Sequence, residues 1–205
     1  MSPRRKVYLG LWIAVLLAGF IWRLTPFPAV IAVGSLSDPA KLATLGERGA
    51  NSRLNKIVYW LDQSRNRYLA PETAVDMALW ENGCPKARAA LVKESLLRNL
   101  KIAEQLGLLT AANRDRLRQG KAAIATKGPY GGESVEIDHI VPLSLAPEVG
   151  NELANLEMLP KTLNREKSNR VNERQLAHAE RLREAGLLTA DSYARVKMKS
   201  HARNP

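Results

Sequence analysis

Cysteine is almost missing from this chain. Cys84, in "ENGCPK", is the only one, so no intramolecular disulfide can form and no Cys-x-x-Cys pair can hold a structural zinc. No histidine lies near it in sequence, and a small half-buried residue beside a turn is the simpler reading than a catalytic thiol. Low-complexity tracts are absent too. A chain of 205 residues, 45% hydrophobic and 25% charged, is long enough for one ordinary domain with a tail or small subdomain. Acidic residues are under-represented: 20 Asp and Glu stand against 31 Lys and Arg, giving a formal charge of +11 and a pI near 10.0. That imbalance points to an anionic partner, either nucleic acid or an acidic membrane surface. Neither a helix-turn-helix nor a zinc module accompanies it.

The amino terminus reads "MSPRRKVYLGLWIAVLLAGFIWRLTPFP". Arg4, Arg5 and Lys6 precede an uncharged, mostly apolar run from Val7 to Trp22, the pattern of a secretory signal or signal anchor. The run is slightly short for a span of roughly 20 residues. Leu24 to Val33 is again largely apolar, however, and Arg23 between them could snorkel outward. Tyr8, Trp12 and Trp22 include aromatics near its ends, where membrane interfaces favour them. An uncleaved single-pass anchor is expected, with the basic cluster inside and the body of the protein outside the cytoplasm. A signal cleaved after "VIA" at Ala32, giving a secreted protein, and a buried helix of a soluble protein are the alternatives.

Residues 34–40, "GSLSDPA", have the composition of a linker. From Lys41 to Gln119 the pattern is helical: "NKIVYWLDQ" is amphipathic, "PETAVDMALW" opens with Pro71 and an acidic first turn, and "KARAALVKESLLRNLKIAEQ" carries apolar residues at helical spacing. The tetrapeptide "GLLT" occurs at 107–110 and again at 186–189, each time after a helical run. Gly107 and Gly186 are expected to stop one helix, and Thr110 and Thr189 to cap the next.

Between these helical regions Gly and Pro punctuate short β-like runs. "VEIDHIV" reads as a strand, "LANLEML" as a second strand after a long loop, and "KTLNREKSNR" as a helix begun at Pro160. Asn164, Lys167 and Ser168 share a helix face. Asp138, His139, Asn155, Asn164 and Lys167 together supply what phosphodiester hydrolysis needs: oxygen ligands for a hard cation and an imidazole that can take a proton from water. One geometric condition follows. Neighbours in a regular strand face opposite sides, so Asp138 and His139 serve one site only if the strand bends or ends near His139, helped by Pro142.

"EIDHIVP", "NELANLEMLP" and "LNREKSN" resemble, in order and spacing, the ββα-metal motif of HNH endonucleases, in the variant with Asn at the third position. The HNH domain of CRISPR effector nucleases is of that kind. The resemblance covers residues 128–172. It implies that His139 is the general base, that Asp138 and Asn164 bind one divalent ion, Mg²⁺ above others, that Asn155 braces the loop and orients His139, and that Lys167 lies near the phosphate. Glu136, two residues before Asp138, is a minor candidate to support the site. Arg165, Lys167 and Arg170 are the nearest candidates for nucleic-acid contact, with Arg114, Arg116, Arg118, Lys121 and Arg174 flanking them. His178 is expected to be solvated, and His201 to lie in a frayed end.

The expected fold is therefore mainly α with a small ββα-metal (HNH) module and an N-terminal transmembrane or signal helix. Its parts are an anchor at 1–33, a linker at 34–40, a helical region at 41–125, the HNH module at 126–174 and a C-terminal helical hairpin with tail at 175–205. The expected function is a metal-dependent endonuclease, a hydrolase acting on ester bonds of nucleic acid, DNA more than RNA. A membrane-tethered basic protein that binds nucleic acid without cutting it is the alternative; a membrane-anchored interaction protein would leave the motif unexplained.

Overall fold

The computed structural model describes residues 3–201, apart from the side chains of 3–7, 9–11, 21 and 23. The order is α1 (Pro3–Leu24), α2 (Phe27–Ser37), α3 (Pro39–Ala43), α4 (Gly49–Arg65), α5 (Pro71–Glu81), α6 (Lys86–Gln105), α7 (Ala111–Arg118), β1 (Val135–His139), β2 (Leu156–Pro160), α8 (Lys161–Lys167), α9 (Glu173–Glu184) and α10 (Ala190–His201). Short 3₁₀ turns at Pro147–Val149 and Leu153–Asn155 interrupt the connection between the strands. The protein is mainly α, with one two-stranded antiparallel sheet among the described residues.

Local chemistry explains the element ends. Asp38 accepts from the N–H groups of Ala40 and Lys41 to start α3, Pro71 and Glu72 open α5, and Asn172 with Gln175 forms a capping box on α9. Both "GLLT" copies behave as expected. Gly107 and Gly186 adopt positive φ (67° and 72°), which a side chain would resist, and the hydroxyls of Thr110 and Thr189 accept from Asn113 N and Ser192 N.

Residues 34–40 are not a linker. They complete α2 and begin α3, and Gly34 and Ser37 are buried. α2 packs on α4 and α5, with Ala29 and Val33 fully buried, so a cut after Ala32 would fall inside a core helix. The apolar stretch from Leu24 to Val33 thus turns at Thr25–Pro26 and enters the protein core instead of extending α1. Among the described residues no helix is long and apolar enough to cross a membrane; several residues of the run from Val7 to Trp22 lie outside the described side chains. Those of α1 that are described, including Trp12, Leu16, Phe20 and Trp22, are exposed.

α4 is the central helix, touching α2, α5, α6 and α7. One apolar core joins the helical region to the β-hairpin, since Leu54, Ile57 and Leu96 belong to the same cluster as Val135, Leu153, Leu156 and Met158. The boundary placed at 125/126 therefore separates no two cores. The outer edge of β2 is closed by side chains of α6. Asn99 accepts from Met158 N at 2.7 Å and donates to Leu156 O at 3.0 Å, and Ser95 donates to Leu153 O and Leu156 O. Across the loop, Arg88 of α6 holds Glu152 through a largely buried pair at 2.9 Å.

Candidate functional site

β1 and β2 pair in register, placing His139 opposite Leu156 and Asp138 opposite Glu157. Glu136 and Asp138 face α8, while His139 lies on the other side of the pleat, toward the loop after β1. β1 ends at His139, which meets the condition set by the alternation of side chains. At that end both faces open into one cleft of about 350 Å³, bordered by Asp138, His139, Pro142, Ser168, Asn169 and Arg48.

His139 is 5% exposed, and its Nε2 lies 2.8 Å from Gly150 O. A carbonyl only accepts, so Nε2 carries the proton and neutral His139 keeps its lone pair on Nδ1. Burial lowers the His139 pKa, and the charges of Arg48 and Lys167 lower it further, against opposing contributions from Gly150 O and Asp138. The ring is neutral at neutral pH.

Asn155 is not in the second strand; it closes the 3₁₀ turn just before β2. It is fully buried, accepts from Val141 N at 2.8 Å and donates to Val141 O at 3.1 Å. This side chain clamps the loop that follows His139, the bracing expected of it, and it does not reach the cleft.

Asn164 and Lys167 both project from α8 toward the hairpin, yet not as a ready metal site. Asn164 donates to Glu136 Oε2 at 2.8 Å. The Lys167 ammonium lies 2.5 Å from Asp138 Oδ2 and 3.4 Å from Glu157 Oε1, and also bonds His139 O. Among the described residues no three His, Cys, Asp or Glu side chains are grouped to hold a metal. The donors present, Asp138 and the amide oxygen of Asn164, are of the hard-oxygen kind that suits Mg²⁺. In donor type they suit such an ion; Lys167 stands on Asp138, and Asn164 does not line the cleft.

Some basic residues expected to face nucleic acid are otherwise engaged. Arg114 pairs with the buried Asp62 at 2.8 Å, Arg116 donates to Ala122 O, and Arg174 pairs with Glu157 at 2.6 Å. Arg165 and Arg170 are exposed and, among the described residues, form no ion pair. His178 is not solvated: it is buried, with no partner for Nε2, and its pKa is lowered to about 4. His201 falls within α10 and is exposed.

Glu157 was not anticipated. It is 1% exposed, directly across from Asp138, and is the counter-charge that draws Lys167 and Arg174 to the hairpin. A carboxylate inside the otherwise apolar run "LEML" was the available signal. Arg48 was missed because nothing near it in sequence points to the cleft.

No family model matches the chain. Nor does any curated protein or solved structure show significant similarity to it.

Proposed function

We propose that this chain is a metal-dependent HNH endonuclease that hydrolyses phosphodiester bonds of nucleic acid, DNA in preference to RNA. The observation that carries the reading is the His139 ring, pinned through Nε2–H to Gly150 O and lining one cleft with Asp138. His139 Nδ1 takes a proton from a water placed in that cleft. The water oxygen attacks phosphorus, the bond to the leaving oxygen breaks, and that oxygen departs with the electron pair. A hard divalent ion held by Asp138 and Asn164 would neutralise charge on the departing oxygen. Lys167, freed from Asp138, stays beside the phosphate, and Asn155 keeps the His139 loop in place. Exposed Arg165 and Arg170 add sequence-independent affinity for the backbone.

α1 is read as a single-pass anchor that holds the site outside the cytoplasm. Its exposed Trp12, Leu16, Phe20 and Trp22, together with the basic start of the chain, support this. The core position of α2 argues against cleavage after Ala32.

One observation favours a second reading, a membrane-tethered binding protein without cleavage. Lys167 supplies Asp138 with a positive charge from the protein itself. A plasmid-nicking assay separates the two. Nicking that appears with Mg²⁺ and stops with EDTA supports the nuclease; retention of DNA with no nicking under any divalent ion supports binding alone.

A further inference from the structure

The cleft has a wall that belongs to neither strand nor to α8. The turn between α3 and α4 enters α4 through Arg48, whose backbone is left-handed (φ 59°, ψ 15°). That region is costly for any residue with a Cβ, and glycine is the unstrained choice there. Among the described residues three non-glycines have positive φ, and two of them, Arg48 and Ser168, line the His139 cleft. Strain of this kind gathers at functional sites, where surrounding contacts over-determine it.

Those contacts are present. Asn151, next to Gly150, accepts from Ala50 N at 3.1 Å and donates to Leu45 O and Gly46 O at 3.1 and 3.0 Å. Asn51 of α4 donates to Ile137 O of β1 at 3.3 Å. The Arg48 turn is thus tied to the strand that carries His139 and to the loop that carries its carbonyl partner. The Arg48 side chain is exposed, and its ion pair is with its neighbour Glu47 at 3.6 Å, both of them largely solvated. Such a pair is weak and readily exchanged.

We propose that Arg48 is a substrate-binding residue of this cleft, its guanidinium taking a non-bridging oxygen of the phosphodiester that lies beside His139. The assignment rests on the nuclease reading and adds to it a cation from the helical region, outside the ββα module. Arginine suits the task because its planar fork matches phosphate oxygens and its charge persists at any working pH.

The test joins Arg48→Gly and Arg48→Lys with thermal unfolding, Mg²⁺-dependent plasmid cleavage and binding of a labelled DNA duplex in EDTA. Glycine relieves the backbone, so Arg48→Gly should melt at least as high as the wild type, by roughly 2–4 °C more. It should also lose about tenfold or more in kcat/KM, with Arg48→Lys recovering part of the loss. Cleavage by Arg48→Gly equal to wild type would overturn the assignment. Should wild type and His139→Ala both fail to cleave, the nuclease reading falls, and the salt dependence of duplex binding decides Arg48 alone. A slope smaller by about one supports phosphate contact, and an unchanged slope overturns it.

Discussion

Burying an imidazole costs free energy, and this chain does it at His139 and at His178. The two differ in what surrounds the ring. His139 gives one N–H to Gly150 O and borders a cleft, so its burial sets a tautomer. His178 lies within the field of Arg98, Arg181 and Glu94, and Nε2 has no partner. Burial first, then those two guanidinium groups, push its pKa down to about 4, against opposing help from the Ala154 backbone and Glu94. The unfolded chain binds this proton near pH 6.5 and the folded chain does not. Stability is therefore full above that pH and is lost as pH falls toward 4, by about 2–3 kcal/mol. Urea unfolding between pH 7 and 4.5 checks this; His178→Leu should flatten the acid limb, and an acid limb unaltered by that change would contradict it. The hairpin and helix that carry Asp138, His139, Asn155, Asn164 and Lys167 were legible in the sequence because strand, loop, strand and helix follow one another within a short stretch. Glu157 and Arg48 were not: a buried glutamate and a solvated arginine have no signature until the hairpin register and the α4 turn are known.

At the scale of elements, helix ends were readable and helix partners were not. The "GLLT" repeats announce their own Gly stop and Thr cap, both matters of backbone within a few residues. By contrast, the apolar stretch that becomes α2 looks the same whether it faces lipid or protein, and its place against α4 and α5 is decided by contacts far along the chain. The covering of β2 by α6 is equally remote. Asn99 there acts as the missing neighbour strand, satisfying Met158 N and Leu156 O with one amide. Asn99→Ala would leave Met158 N buried without this partner and Leu156 O with Ser95 alone, costing about 1–3 kcal/mol. Denaturant unfolding should show the loss together with weaker hydrogen-exchange protection in β2. A stability change below about 0.5 kcal/mol would mean that α6 does not complete the hairpin's edge.

For the whole molecule, α4 and the shared core make the hairpin part of a larger body instead of a free-standing module. The His139 cleft is consequently assembled from both: His139 and Asp138 come from the hairpin, Arg48 from the turn before α4. The same body continues into α2, and α1 leaves it with apolar side chains exposed. A full-length tagged protein should sediment with membranes and resist extraction by salt and carbonate but not by detergent. Release by salt alone would mean that the positive charge, and not α1, holds it there. The central claim, though, is chemical: His139 takes the proton from the attacking water. The most direct measurement is Mg²⁺-dependent plasmid nicking by wild type and His139→Ala at equal DNA occupancy. The account predicts a loss of about 10²–10⁴-fold in rate with duplex binding and melting temperature retained. Nicking by His139→Ala at the wild-type rate would contradict it.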